Sequence, residues 1–462
     1  MTGRSSSSRE VVAEAVFRAY DVRGIYGADL SEDAMEEVGL AMGSLLRGEA
    51  EVAVGRDARF SSPRLQRAVI RGLTSTGCDV FDIGFVPNPV NYFYAMQNKM
   101  YGAYVSASHS PVKYNGLKMI RPTGVSFIEE NLSVKRIFVG RDFLHGRGKA
   151  TRVDDSIAAY EDFLSEHFRG LEGLKVCVEC MGGAGSAVTP RIFEKLGLKV
   201  EALHSKPDGR FCGFDRPEPG GENLRELQRL VREARADFGV AFDGDADRSV
   251  FVDDKSRELD GSKMSSVFLT HILEKRKGTA VVTVDCASEI ERLVNEKGGR
   301  IVWWRVGHGF VEEKCAEENA VFGGEQSSHF YSLVPQYPFS DGPLATIKVA
   351  EILRDTRKHL SQLVDQFPLH PIIKTYIDAG TDENKDRSME RLRRFLSGWE
   401  DVMDGIKIRL NDVEWVLVRT SKTLPEINLV IEALNEERMK ELAENYTSII
   451  ESQIRASKES KD

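Results

Sequence analysis

Long apolar runs are missing from this 462-residue chain: no stretch of roughly 18 consecutive apolar residues occurs, which excludes a membrane-spanning helix. An excess of positive charge is missing too. Lys and Arg total 63 against 72 Asp and Glu, a net charge of -9. Proteins that track a nucleic-acid backbone are ordinarily basic, so nucleic acid is not an expected partner. A local basic pocket for a small anion is still compatible with that balance. Cysteine is scarce, with 6 residues scattered over the chain, as in a reducing cytoplasm. Cys177 and Cys180 are spaced C-x-x-C, but they lie in an apparent strand, LKVCVEC, where positions three apart face opposite ways. No second pair exists, which argues against zinc, and the 9 histidines form no ligand cluster. No apolar segment of signal-peptide type follows the N-terminal MTGRSSSSRE, which reads as a disordered tail. What is present in quantity is ordinary for a globular protein: 41% hydrophobic and 29% charged residues.

Three segments repeat one plan of apolar strand, amphipathic helix, glycine and second strand. They are EVAVGRD with SPRLQRAVIRGLTSTG and CDVFDIG; LKVCVEC with VTPRIFEKLG and LKVEAL; and TAVVTVDC with SEIERLVNEKGG and RIVWWRVG. Continuous apolar strands are those covered by helices on both faces. The plan fits three similar α/β domains, and also one large α/β domain. A charged helical stretch near 150–168 leads into the second unit, DGSK at 260–263 opens the third, and QFPLHPIIK at 366–374 closes it. Beyond it, IKIRL, a short ND turn and VEWVLVR read as a hairpin, PEINLVIEA as a further strand and ERMKELAENYTSIIESQIR as a closing helix, a small α+β domain. The expected boundaries are 1–165, 166–262, 263–370 and 371–462, giving three α/β sheet-and-helix domains plus a C-terminal α+β domain around a central cleft.

The sharpest chemical signal is AFDGDADRSVFVDD, in which Asp243, Asp245 and Asp247 alternate directly after the strand FGVAF. Three carboxylates in so short a span repel one another, and a hard divalent cation such as Mg²⁺ relieves that. Gly244 lets the loop curl. A solvated acidic turn has the same spacing. A helix-loop-helix calcium site is excluded, because its sixth and twelfth positions require Gly and Glu and are here Arg248 and Asp254. Octahedral Mg²⁺ commonly completes its shell with phosphate oxygens and water, and Arg248 adds a cation suited to a phosphoryl group. VSASHSPVKYNGLK, residues 105–118, offers a carrier. A serine hydroxyl needs a metal or base to become a nucleophile, and no G-x-S-x-G elbow surrounds Ser106 or Ser108. A helix cap or plain turn is the competing reading for these serines, and an ordinary surface lysine is that for Lys118. Further polar clusters are RAYDVRG with Arg18 and Arg23, GRDARFSSP with Arg56 and Arg59, RVGHGF with His308, and FGGEQSSHF with Glu325, Ser327 and His329. VRTSKT, with Arg419, Ser421, Lys422 and Thr423, is either a phosphate cradle or a surface turn.

These motifs together resemble the α-D-phosphohexomutase family, which includes phosphomannomutase/phosphoglucomutase and phosphoglucosamine mutase. FRAYDVRG, SASHSP, YNGLK, FDGDADR, VGHGF, GGEQSSH and RTSKTLP occur in family order between about residues 17 and 435. The resemblance implies four domains around a cleft, the fourth smaller and mobile. It implies that Ser108 is phosphorylated in the resting enzyme. One Mg²⁺ per chain would be held by Asp243, Asp245, Asp247 and the phosphoserine oxygens. It places Arg248 and Arg23 at the catalytic centre, with His109 and Lys118 as acid/base or proton-positioning groups. Arg18 is expected near the site, and Glu325 and Ser327 as readers of sugar hydroxyls beside His308. Arg419, Ser421, Lys422 and Thr423 would belong to the loop for the phosphate that is not transferred. The implied reaction interconverts hexose 6-phosphate and hexose 1-phosphate, through a hexose 1,6-bisphosphate that is both intermediate and activator. The partners are then small phosphosugars, with monomer and homo-oligomer both compatible.

Several positions depart from the family pattern. SASHSP stands for T-A-S-H-N-P, Ser328 for glycine in S-G-H, RTSKTLP for R-P-S-G-T-E-P, and Asn428 for an arginine just beyond. Gln326 resembles the glucosamine branch and also dual-sugar members from archaea, and Ala246 the mannose/glucose branch. The expected activity is phosphomannomutase/phosphoglucomutase, with phosphoglucosamine mutase as the alternative. A phosphosugar-binding regulatory protein with reduced turnover is the alternative of another class.

Overall fold

Four β-sheets follow one another along the chain, each with its own helices. The computed structural model describes residues 6–368, 370–401, 403–421 and 424–459. The first sheet has six strands in the spatial order Asp21–Ile25, Tyr114–Ile120, Tyr101–Val105, Glu51–Arg56, Asp79–Phe85 and Ala150–Arg152. The second runs Glu258–Leu259, Ser249–Asp253, Phe238–Phe242, Lys175–Glu179, Lys199–Leu203, and the third Arg300–Trp304, Thr279–Thr283, Phe322–Gly324, Phe330–Tyr331.

Each expected strand–helix–strand unit is present and its two strands pair in parallel: 51–56 with 79–85, 175–179 with 199–203, and 279–283 with 300–304. Parallel partners need a crossover, and the helices Ser62–Thr76, Thr189–Lys195 and Glu289–Glu296 supply it. Every residue of Phe238–Phe242 and of Thr279–Thr283 is buried, which is why those strands read as unbroken apolar runs. The helix Gly261–Lys275 starts where DGSK was expected to open the third unit, with the Asp260 side chain accepting from the Lys263 amide. All six cysteines are free, and Cys177 and Cys180 are both buried.

The N-terminal expectation needs correcting. Residues 6–10 of MTGRSSSSRE begin the helix Ser6–Val16, and residues 1–5 lie outside the described residues. Ala13, Val16 and Phe17 bury themselves in the first-domain core beside Met35, Val38 and Phe138. That apolar stripe anchors the helix and overrides the polar composition ahead of it.

The fourth sheet is antiparallel throughout, in the order Ile372–Asp378, Glu426–Glu432, Trp415–Thr420, Ile406–Arg409, Trp399–Asp401. Its faces divide by alternation. Ile377, Ile427, Leu429, Ile431, Val416 and Val418 share a core with Leu392, Leu442, Ile450 and Ile454 of the helices Asp382–Phe395 and Glu436–Glu459. On the other face Trp415, Leu417 and Val430 pack on Val284 and Val306 of the third domain. Polar contacts secure that seam: Ser288 donates from its amide (3.0 Å) and hydroxyl (2.9 Å) to Glu432 Oε2, and Lys407 Nζ donates to the Val284 carbonyl at 3.0 Å. The same face then continues as a polar row, Tyr376–Asn428–Arg419, set by the register of the three strands.

The helix Ser156–His167 meets the third region at Asp341. Its buried carboxylate accepts from the Leu344 amide (2.8 Å), starting the helix Gly342–Thr356, and from the hydroxyls of Tyr160 (2.9 Å) and Tyr337 (2.5 Å). Burial pushes this carboxyl up to about 6, against the pull of those hydrogen bonds. An acid whose folded pKa exceeds its unfolded value holds its proton more tightly in the folded chain, so stability is gained as pH falls from the folded value toward the unfolded one. Denaturant unfolding of the wild type and Asp341→Asn at several pH values should show the wild type gaining about 1 kcal/mol on the variant between roughly pH 7 and pH 5.

Candidate active site

The aspartate loop joins two antiparallel strands, Phe238–Phe242 and Ser249–Asp253. Asp243, Asp245 and Asp247 are all buried, and one oxygen of each lies within 4.8 Å of the others. Asp245 Oδ1 has no hydrogen-bond partner, and Asp247 Oδ1 has only the His329 imidazole nearby, at 3.3 Å. Burial, together with the charges of Asp247 and Asp245, holds the Asp243 carboxyl well above the ordinary carboxylate range. Buried, mutually repelling hard oxygens with unpartnered atoms fit a small divalent cation, and Mg²⁺ is the one that oxygen sets of this kind take.

The serine loop links the strands Tyr101–Val105 and Tyr114–Ile120. It lies directly against the aspartate loop, and Gly244 is the reason it can: a Cβ there would sit 2.7 Å from the Ser108 carbonyl oxygen. Ser108 itself has φ +48°, a strained conformation for a side-chain-bearing residue. Its hydroxyl donates to Asp243 Oδ2 at 2.6 Å, across 135 residues of sequence, and lies 3.2 Å from His109 Nδ1. Burial, reinforced by the cations of Arg248 and Arg23, keeps the His109 imidazole well below its usual pKa, hence neutral. Lys118 Nζ reaches Asp245 Oδ2 (2.8 Å) and Asp247 Oδ2 (2.6 Å). Burial works against that ammonium, but the two carboxylates outweigh it and hold the pKa above lysine's ordinary value. Asn88 Nδ2 donates to Asp247 Oδ2 at 2.9 Å.

One side chain holds the serine loop in shape. The guanidinium of Arg59, fully buried, donates to the carbonyls of Ser108 (2.7 Å), Ser110 (2.8 Å), Pro111 (3.0 Å), Val112 (3.3 Å) and Tyr114 (3.0 Å). It pairs with Asp57 at 3.2 Å. Asp57 Oδ2 and Asp245 Oδ2 lie 2.9 Å and 3.1 Å from the Ser106 hydroxyl, whose oxygen also accepts from the Ser108 amide at 2.8 Å.

A cavity of about 280 Å³ opens above these loops. Of the residues expected at a site, Arg23, Ser108, His109, Lys118, Asp247, Arg248, His308, Glu325, Ser327, Arg419 and Ser421 line it, drawn from all four sheet regions. Asp243 and Asp245 lie beneath its wall, while Lys422 and Thr423 lie outside the described residues. Arg18 is placed elsewhere: its guanidinium pairs with Asp382 at 3.3 Å and does not line the cavity. Arg23 pairs with Asp21 (2.7 Å) and donates to the Ser110 hydroxyl (3.0 Å). Both ring nitrogens of buried His308 are without a partner, leaving them for a ligand.

Some cavity residues escaped the sequence reading. His329, quoted within its motif but given no task, sits 3.3 Å from Asp247 Oδ1 and 3.0 Å from the Ser327 hydroxyl, linking the third domain to the aspartates. Tyr20 packs against His308 with ring centroids 4.5 Å apart and the rings tilted by 56°. Arg216, Glu218, Lys374 and Tyr376 carry no local motif at all, yet line the cavity. Ser328 has φ +65°, which accounts for a glycine preference at that position in the resemblance. Gln326 is engaged with the third-domain helix, its Oε1 accepting from the Ser262 amide at 3.1 Å.

Comparison with known proteins gives one answer. Three family models match in order: phosphoglucomutase/phosphomannomutase alpha/beta/alpha domain I over residues 14–145, domain II over 156–257 and domain III over 260–370. The chain is 35% identical over 445 residues to a probable phosphoglucosamine mutase from Methanopyrus kandleri, covering 94% of this chain and 97% of that one. It is 33% identical over 461 residues to a phosphoglucomutase/phosphomannomutase from Thermococcus kodakarensis, covering 95% and 99%. Among solved structures, a phosphoglucomutase/phosphomannomutase family protein from Burkholderia thailandensis superposes with TM-score 0.84 at 27% identity, covering 96% of this chain and 98% of that one.

Arg59→Met should cost about 3–5 kcal/mol in denaturant unfolding, because Asp57 is left as an unpaired buried charge. Asp245→Asn should weaken Mg²⁺ binding, measured by calorimetry on the purified protein, by at least about tenfold, since a hard cation loses one of few anionic ligands.

Proposed function

The chain belongs to the phosphoglucomutase/phosphomannomutase family of α-D-phosphohexomutases, and from that premise we propose that it interconverts hexose 6-phosphates and hexose 1-phosphates of mannose and glucose through a phosphoserine at Ser108. The observation that carries this reading is the 2.6 Å contact between the Ser108 hydroxyl and Asp243, at the edge of a buried carboxylate trio. Family membership supports hexose-phosphate mutase chemistry as a class. The choice of sugar, the bisphosphate intermediate and the residue assignments are our reading. We divide the chain for this purpose at 165/166, 262/263 and 370/371.

Asp243, Asp245 and Asp247 are the residues that would hold Mg²⁺. Bound there, the ion would offset negative charge on the transferring phosphoryl group. The chain's own groups do the rest. In the first half-reaction the Oγ–phosphorus bond of phosphoserine 108 breaks as a sugar hydroxyl oxygen forms a new bond to phosphorus. That hydroxyl's proton needs an acceptor, and neutral His109 beside Ser108 is suited to the task. Lys118, kept as an ammonium by its carboxylates, serves as a proton donor and a counter-charge. Arg248, paired with Glu218 at 3.2 Å, presents a planar cation toward the cavity. Glu325 and His308 face the same space and offer an acceptor and unpartnered ring nitrogens to sugar hydroxyls. The bisphosphorylated sugar then turns over in the cleft and returns its other phosphoryl group to Ser108. Arg419 and Ser421, on the fourth sheet, hold whichever phosphate is not reacting.

Phosphoglucosamine mutase is the second reading, favoured by the name of the Methanopyrus relative. Gln326 lines the cavity with its Oε1 on the Ser262 amide, and because it matches dual-sugar members as well as the glucosamine branch it does not decide between the readings. A cytoplasmic location fits the scattered free thiols, and no described helix is long and apolar enough to cross a membrane. Incubation with Mg²⁺, a trace of hexose 1,6-bisphosphate and matched mannose, glucose or glucosamine 1-phosphate should give turnover of the mannose and glucose compounds. Binding of all three without isomerisation would identify a phosphosugar-binding protein instead. Ser108→Ala should lose activity by at least about a thousandfold and incorporate no phosphoryl group detectable by intact mass. Undiminished turnover by that variant would exclude the phosphoserine route.

A further inference from the structure

Among the described residues six Lys and Arg side chains line the cavity, and four are committed to partners. Arg23 is paired with Asp21, Lys118 with Asp245 and Asp247, Arg248 with Glu218, and Arg419 with Asp404. Arg216 and Lys374 differ. The side chain of neither makes a hydrogen bond or ion pair among the described residues, and both residues are half-buried in the cavity wall. They come from different domains. Arg216 lies on the 214–219 loop of the second. Lys374 lies on the strand Ile372–Asp378, at the edge of the fourth sheet.

The fourth-sheet register shows where Lys374 stands. Tyr376, Asn428 and Arg419 form one cross-strand row, and Lys374 is two residues from Tyr376 on the same face. The Lys374 ammonium is 5.1 Å from the Tyr376 ring centroid. Tyr376 is in turn within electrostatic range of Arg248, so this edge of the sheet looks across at the second domain. Both unpaired cations also act on one group: burial raises the Glu426 carboxyl, while Arg216 and Lys374 each pull it down. Glu426, Asp378 and Glu218 are thus near these two cations. None of the three joins Arg216 or Lys374 in an ion pair, so both cations face the cavity with their donors uncommitted to a carboxylate.

We propose that Arg216 and Lys374 form a two-domain clamp for the phosphoryl group of the hexose phosphate that is not being transferred. The clamp rests on the mutase reading and deepens it: the distal phosphate is gripped by the second domain as well as by the Arg419 loop, so occupancy draws the two domains together. Asn428 is uncharged in the row between Tyr376 and Arg419, and Lys374 stands two residues along the same face, opposite Val430.

The test uses the full-length protein and Arg216→Gln, Lys374→Gln, the double variant and Arg216→Lys. Each Gln variant should raise KM for glucose 1-phosphate or mannose 1-phosphate about tenfold, the ordinary worth of one charge-assisted contact, with kcat within about twofold. Arg216→Lys should stay within about threefold of wild type, because the charge is kept. Calorimetric binding of glucose 6-phosphate should weaken in parallel. Unchanged KM and affinity in the double variant would overturn the clamp, as would a fall in kcat at constant KM. A wild type that isomerises no hexose phosphate would defeat the mutase reading alone, and the glucose 6-phosphate affinities would still decide the clamp. A wild type that binds no glucose 6-phosphate defeats the clamp too.

Discussion

Three buried carboxylates cannot share a pocket without compensation, and the site is organised around that constraint. Asp243, Asp245 and Asp247 come from one loop of the second domain. Apart from the Arg248 amide of the same loop, the groups that meet their carboxylates come from elsewhere: Ser106, Ser108, Lys118 and Asn88 from the first domain, and His329 from the third. Leaving such charges unpaired in a low-dielectric interior costs several kcal/mol or more. The aspartate loop therefore needs its neighbours docked, and the docking brings a serine hydroxyl to the carboxylates. Stability and chemistry have the same cause here. A divalent cation would add to that compensation and leave the demand for it in place.

The close approach has steric terms as well as electrostatic ones. Gly244 is tolerated against the Ser108 carbonyl because it has no Cβ. The serine loop, for its part, turns its carbonyls away from solvent and away from any regular ladder, so they need donors. Arg59 provides them from a single planar group, whose fork of N–H bonds suits several acceptors at once. It also stacks 4.9 Å from the Phe211 ring of the second domain, so the residue that shapes the loop also touches the domain the loop faces. A loop restrained in this way holds Ser108 at a left-handed φ that isolated chain would leave.

The parts of this arrangement that the sequence displayed were those with local grammar. Strand–helix–strand units announce themselves through apolar runs and terminal glycines, and the Asp-x-Asp-x-Asp loop through its charge density. The helix Ser6–Val16 was obscured because its polar first turn masks a stripe completed only by Ala13, Val16 and Phe17. Arg18 and Tyr20 illustrate the harder problem. They sit two residues apart in one motif, yet Tyr20 faces the cavity and Arg18 faces Asp382 of the fourth domain. Spacing proposes a cluster; only the packing of the neighbouring domain decides which member turns inward. Arg216 and Lys374 had no signal to find, because a solitary Arg and a solitary Lys in sequence look like any surface charge until two domains place them on one cleft.

The fourth sheet shows how a docking surface and a binding surface can be one face. Along it, Trp415, Leu417 and Val430 press on Val284 and Val306, and two or three residues further the same alternation presents Arg419, Asn428 and Tyr376 to the cavity. The apolar half is held by burial, which is insensitive to small rotations, and by Glu432 and Lys407 at the seam. The polar half lies beside that seam. A rotation about the seam would therefore leave the apolar contact largely intact while displacing Arg419 and Lys374 relative to Arg216 and Arg248. Such a rotation would be resisted weakly by packing and driven by whatever charge sits in the cleft. In the clamp proposed above a phosphorylated sugar would bring that charge, and its hold on Arg216 and Lys374 would set how far the fourth domain closes.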